Sequence, residues 1–276
     1  MTSLPSASAR TRRQTGRMEP AALLAADASG PLPRLGGIAR PDGVVIISER
    51  YWALARQDGT LVEGTTRPVT SVLQHVPILR GFLRLGVALA PLGGAGVSTR
   101  RDRLVFGVAM GLSVGLAFVP GRAQLVAGLL LTGALLAWVF RGRTLSLHGA
   151  EHRAIAAAES RRLASTWRGT SRPSRFSPRC GTNFGVLVLA LVGVLYAVAP
   201  VSRQAAAAIP LQLGALGVTM EVWSAMQRSS RLWARALLFP GLLLQRLTTR
   251  EPALEETRVA LRAVASVLRR ERVGRS

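Results

Sequence analysis

The chain has 276 residues, 49 % of them hydrophobic, with 36 basic side chains against 14 acidic ones and a formal charge of +22. Every basic residue is Arg, and the Arg residues crowd the segments between apolar runs without interleaved aromatics, so nucleic-acid binding lacks its stacking platform and a topological role at a membrane explains the charge with fewer assumptions. Cys180 is the single cysteine, which excludes an intramolecular disulfide.

Residues 1–34, rich in Ser, Ala, Arg and Pro, read as a disordered basic tail on the cytoplasmic side, with a plastid transit peptide as the alternative. The apolar stretch Pro20–Ala26 is too short for a signal-peptide core. Residues 35–75 read as a small β-rich cytoplasmic element: Val44–Ile47 and Tyr51–Ala55 are β-prone, Gln57–Asp58–Gly59 is a turn, and Leu61–Val62 follows. Residues 76–97 carry Arg80 and Arg84 one helical turn apart, the pattern of an interfacial amphipathic helix.

Four apolar runs, at 104–120, 123–140, 184–200 and 205–221, are free of charge until Glu221 closes the last. Their length is near the lower limit for crossing a bilayer core. The 141–183 loop holds nine Arg against Glu151 and Glu159, while the connections around Arg122 and Ser202–Gln204 are nearly neutral. The positive-inside rule then puts both termini and the central loop in the cytoplasm. Residues 232–247, with Arg235 and a Pro240–Gly241 break, read as an interfacial or re-entrant segment. Residues 252–272, with Leu254, Val259, Leu261, Val264, Val267 and Leu268 at helical spacing, form a cytoplasmic helix. The expected fold is therefore mainly α: a polytopic inner-membrane protein with about four transmembrane helices, interfacial helices and a β-rich N-terminal element, its helical region running over 76–272.

The sharpest local chemistry lies in LHGAEHRAIAAAE, 147–159. On a helix His148 and His152 sit one turn apart on one face and can share a metal ion, with Glu151 beside them as a general base. A third ligand is required, for which Glu221 or Cys180 is the candidate and Asp42, Glu251 and Glu255 are weaker ones. A divalent metal such as zinc suits this donor set. The competing reading makes the two histidines hydrogen-bonded residues at a membrane interface. Cys180, next to Arg179, is a candidate nucleophile, a metal ligand or a packed small hydrophobe. In TTREP, 248–252, a Thr caps the terminal helix while Arg250 and Glu251 pair locally.

At these motifs the chain resembles the YqhQ-type bacterial membrane proteins, also called domain of unknown function 1385. The matching pieces are LRGFLRLGVAL at 79–89, LHGAEHRAI at 147–155, PRCGTNF at 178–184, ME at 220–221 and PGLLLQRLTTREP at 240–252, with a weaker GG…PDGV at 36–44. The resemblance implies a predicted metal-dependent enzyme with no settled substrate or reaction. Its polar motif positions fall on His148, Glu151, His152, Arg179, Cys180, Thr182 and Glu221. The chain departs from the family pattern at Ser177, where the family commonly has His, and at Arg153, Met220 and the DGVVII segment; loss of the histidine at 177 would weaken or remove metal binding.

The expectation is thus a metal-dependent hydrolase at the cytoplasmic face of the bilayer, acting on a lipid, a prenyl compound or a membrane peptide, with Arg179 or Arg250 neutralising an anionic head group. The alternative is a non-enzymatic assembly or scaffold factor whose polar motifs form a structural network. A transporter ranks last, because the runs lack intramembrane charge.

Overall fold

Short contiguous runs of apolar side chains, buried on both faces, build the N-terminal sheet. In the computed structural model, which describes residues 10–13, 20–28, 31–66, 75–76, 78–83, 85–86, 100–116, 119, 121–198, 205–229 and 231–274, strands β1 (Arg10–Arg13), β2 (Gly36–Arg40), β3 (Gly43–Ile47), β4 (Tyr51–Arg56) and β5 (Thr60–Thr65) form an antiparallel sheet in the order β1-β5-β4-β3-β2. The register pairs Val44 with Ala55 and Ile46 with Ala53 on one face, and Val45 with Leu54 and Leu54 with Val62 on the other. Gly59, at φ +87, closes the β4–β5 hairpin in the left-handed conformation that glycine accepts without strain.

The first face is covered by helices. Helix α1 (Pro20–Asp27), α4 (Thr144–Glu159), α5 (Leu163–Arg168) and α9 (Leu254–Val273) contribute Leu23, Ala26, Leu147, Ala150, Leu163, Val259, Leu261, Val264 and Val267 to one core with Val44, Ile46, Ala55 and Leu61. The Asp27 carboxylate accepts from the backbone N–H of Leu163 and Ala164 at 3.0 and 3.1 Å, so the end of α1 caps the start of α5. Composition alone predicts an unstructured tail over 1–34; within it, the structure instead pairs β1 with β5 and buries Leu23 and Ala26 of α1. The few apolar side chains of that segment suffice because the uncovered edge of the sheet and the α5 terminus supply partners that composition does not reveal.

The other helices are α2 (Arg100–Leu116), α3 (Gly121–Val139), α6 (Gly181–Val198), α7 (Ala205–Met226) and α8 (Leu232–Thr248). All four apolar runs are helical over most of their described residues, the exceptions being Val119 and Phe140, and the chain is mainly helical with a small antiparallel sheet. Helix α2 contacts α3, and α6 packs against α7 and α8. Among the described residues no single helix is long and apolar enough to cross a membrane; the pair Val126–Val139 and Thr144–Glu159, bent by 71°, passes together by length and composition. Residues 78–83 are helical and cross α7 closely, with Ile78 Cγ2 2.6 Å from where a Cβ on Gly217 would stand. Arg84 and the 199–204 connection lie outside the described residues.

Glu271 on α9 ties the last helix to the sheet. Its carboxylate accepts from Ser48 Oγ at 2.8 Å and from Arg50 Nη2 at 2.6 Å. Burial alone would raise its pKa, but the hydrogen bonds from Arg50 and Ser48 and the Arg50 charge outweigh burial and hold it below the usual carboxylate range. A folded-state pKa below the unfolded one gives stability that is present above the unfolded value and lost as pH falls through the folded one. The thermal midpoint of the protein is therefore expected to fall from about pH 5 downward, and Glu271→Gln to show a lower midpoint at neutral pH with a shallower acid slope. Equal acid slopes in the two proteins would remove this ion pair from the account.

Candidate metal centre

Helix α4 runs through the Ala-rich segment that favours helix, and its His148 and His152 lie one turn apart with ring centroids 4.5 Å from each other. Each ring is fixed by a backbone carbonyl. His148 Nδ1 is 2.8 Å from Thr248 O, and His152 Nδ1 is 2.7 Å from Arg175 O. A carbonyl only accepts, so each Nδ1 carries the proton and each Nε2 is left with its lone pair.

The third donor is Cys180, at the start of α6, whose Sγ lies 3.3 Å from His148 Nε2. Among the described residues, His148, His152 and Cys180 form a group whose ligand atoms all lie within 4.8 Å of one another. Thr182 Oγ1 donates to the sulfur at 3.2 Å.

Burial controls the protonation of all three. It lowers His148 against the opposing hydrogen bond of Thr248, and lowers His152 to about 3 with help from the neighbouring His148. Both imidazoles are neutral, the form that ligates metal. Burial pushes the Cys180 thiol up to about 11, while Thr182 hydrogen bonds pull the other way. Two neutral imidazoles, each oriented by a carbonyl, and one sulfur are a donor set that fits a zinc-like cation, which would favour the thiolate.

Glu151 is buried at 5 % exposure and lies under β2. The Ala39 amide donates to it, and a Cβ on Gly37 would stand 2.6 Å from its Cγ and 2.7 Å from Oε1. Burial lifts its pKa to about 8, the Ala39 hydrogen bond opposing. It is not among the three converging donors, although its charge reaches Cys180.

The other residues singled out by sequence are distributed around this centre. Glu221 is held by Arg80 at 2.9 and 2.6 Å, in a two-pronged ion pair between α7 and residues 78–83, and is not one of the converging donors. Arg179 pairs with Glu159. Glu251 accepts from Arg153 at 2.6 Å and faces Arg175 at 3.6 Å. Arg250 donates its backbone N–H to Leu145 O at 2.9 Å, and its side chain is exposed.

Sequence reasoning passes over Gln245. It is fully buried, accepts from Ser177 N–H and donates to Ser177 O, both at 2.8 Å. Asn183 Nδ2 donates to Ser177 O and Pro178 O at 3.0 Å, and Cys180 N–H closes the turn onto Ser177 O at 3.3 Å. The turn that presents the sulfur is thus clamped by side chains from α6 and α8. A single amide inside the apolar run before Arg246 is the signal that marks Gln245 in the sequence.

The model of a family described as a protein of unknown function, DUF1385, matches residues 124–270, a stretch that includes the three donors and Gln245. The uncharacterized protein YqhQ of Bacillus subtilis (strain 168) is 34 % identical over 137 residues, which is 47 % of this chain and 42 % of that protein, so the similarity spans less than half of either. No solved structure matches the chain. With its family model covering more than half of its length, the chain belongs to the DUF1385 family.

Proposed function

We propose that this protein is a membrane-associated, metal-dependent hydrolase whose cation is held by His148, His152 and Cys180 at the cytoplasmic face. The observation that carries the reading is the convergence of one ligand atom each from His148, His152 and Cys180 within 4.8 Å, with both Nδ1 atoms tied to carbonyls. Orientation by backbone acceptors is the usual way a protein sets imidazole ligands for metal. When bound, the cation would supply Lewis acidity to a polarised substrate bond. Glu151, beside His152 and shielded by β2, holds or passes a proton. The substrate class is a lipid or a membrane peptide.

The membrane part of the proposal rests on exposed large apolar side chains. Leu104, Val108, Leu129, Leu130, Leu189, Leu232, Phe239 and Leu247, on α2, α3, α6 and α8, are all more than half exposed. A surface of that extent favours an apolar partner, and the Arg-rich 141–183 segment supports a cytoplasmic side for it. Helix α4 is not read as a span, because it packs on the sheet beside α9 and buries Glu151 and Arg153.

The second reading is a scaffold without chemistry, in which the same residues are a structural network. It is favoured by the links from His148 to Thr248, Arg153 to Glu251 and Gln245 to Ser177. Metal analysis by elemental mass spectrometry on detergent-purified protein separates the two. Wild type prepared without chelators is expected to carry near-stoichiometric metal, and His148→Ala and His152→Ala to lose it while circular dichroism shows both still folded. Metal-free wild type would overturn the hydrolase and leave the scaffold.

A further inference from the structure

A second site lies on the other side of Arg153, away from the histidines. A cavity of about 340 Å³ opens between α5, the 169–172 segment and the start of α9, within the range of small-molecule sites. It is lined by three arginines, Arg153, Arg168 and Arg172, against one acidic residue, Glu251. That carboxylate is already matched by Arg153 at 2.6 Å and Arg175 at 3.6 Å. Arg168 and Arg172 are both exposed and, among the described residues, make no ion pair, so they are the positive charge left over.

Two further features point the same way. Thr166 lines the cavity at 1 % exposure, and its Oγ1 has no hydrogen-bond partner among the described residues. A buried hydroxyl without a partner is destabilising unless something satisfies it. Ala253 and Leu254 also line the cavity, so α9, a helix of 20 residues, begins at its wall and directs the positive end of its dipole there. The first-turn acids of α9 are engaged: Glu255 by Arg258 at 2.6 Å, and Glu256 by the Ala253 N–H at 2.9 Å and Ser146 at 2.7 Å.

We infer that this cavity binds a phosphoryl group, gripped by the Arg168 and Arg172 guanidinium groups and hydrogen-bonded by the Thr166 hydroxyl at the amino end of α9. Planar guanidinium forks match phosphate oxygens in pairs, and a hydroxyl donor completes the ring of contacts. The group is carried either by a soluble phosphate ester or by a lipid head group. The site does not use the metal donors and stands whether or not His148, His152 and Cys180 hold a cation.

The test uses the full chain in detergent, stripped of metal with a chelator, titrated with inorganic pyrophosphate by calorimetry. A parallel arm measures sedimentation of the protein, reconstituted in phosphatidylcholine nanodiscs, with vesicles of phosphatidylcholine containing phosphatidate. Arg168→Gln with Arg172→Gln is expected to weaken binding at least tenfold, whereas Arg162→Gln with Arg228→Gln, an equal charge loss at exposed positions outside the cavity, leaves it unchanged. Thr166→Val is expected to weaken binding several-fold while its ligand-free melting temperature holds or rises, an outcome opposite to that of a structural threonine. Pyrophosphate binding lost in the Arg168/Arg172 variant supports the site and assigns it to a soluble ester. Binding seen only with phosphatidate vesicles and lost in the same variant supports it and assigns it to a head group. No binding in either arm, or equal weakening by both Arg pairs, overturns it.

Discussion

Gly149→Ala is expected to destabilise the protein by about 3 kcal/mol, although alanine is normally the better helix former by about 1 kcal/mol. The position sits in the middle of α4, and a Cβ there would overlap the carbonyl oxygen of Arg250. The obstacle is main chain, so no side-chain rotation relieves it. The same stretch is tied to α4 by the Arg250 N–H to Leu145 O hydrogen bond and by the Thr248 carbonyl that orients His148. Forcing α4 and residues 248–251 apart therefore strains the imidazole as well as the packing. Gly185→Ala, on α6 with nothing within 4 Å of the added atom, is the control and is expected to be neutral or slightly stabilising. Thermal unfolding followed by circular dichroism checks both; a Gly149→Ala protein as stable as wild type would mean that residues 248–251 are not held against α4 as described.

Gln245→Ala is expected to lower stability by about 2 kcal/mol, the penalty for leaving a partly buried peptide N–H unpaired and losing one of three donors to its carbonyl. Asn183 continues to serve Ser177 O, but nothing described replaces the acceptor for Ser177 N–H. Because Ser177 opens the turn that ends on Cys180, the sulfur loses its fixed position, and metal affinity is expected to fall on the order of 10–100-fold, as when other supporting groups around metal ligands are removed. Gln245→Glu is expected to keep an acceptor for the Ser177 N–H but to lose the donor to Ser177 O, since an ionised carboxylate only accepts. Competition of the purified variants with a fluorescent zinc chelator reads the affinity, and denaturant unfolding reads the stability. Unchanged zinc affinity alongside lost stability would separate the clamp from the centre.

These two residues mark where reading the sequence stops. The His148–His152 pair is legible because it is local: two imidazoles four residues apart in an Ala-rich helix can only face the same way. Cys180 is legible as a rare residue in a turn. The apolar spacing of Val259, Leu261, Val264, Val267 and Leu268 is equally local, and all five are buried. What escapes are partners fixed by tertiary contact. Nothing in the sequence near Glu221 says that Arg80 will engage it, yet that ion pair, not the donor cluster, is where the structure puts its carboxylate. Arg80 itself reads as a membrane-facing cation on an amphipathic helix when its partner is out of sight. Gly37 carries no signal of its own within the β-rich segment, and only the fold reveals that its missing side chain is the space occupied by Glu151. Arg168 and Arg172 pass for ordinary loop charge until the cavity joins them to Thr166.

The core beneath the sheet is closed by α9, the final helix of the described chain, and this fixes an order of events during synthesis. The apolar face bearing Val44, Ile46, Ala55 and Leu61 leaves the ribosome long before Val259, Leu261 and Val264, which cover it. At roughly 5–20 residues per second, the interval between Thr65 and Leu254 is on the order of tens of seconds. The Thr248 carbonyl that orients His148 likewise emerges 100 residues after the ring it holds. The nascent chain thus carries a partly uncovered sheet through most of its translation, and His148 waits 100 residues for its carbonyl while His152 waits 23, so the donor cluster can take its final shape only once Thr248 has emerged.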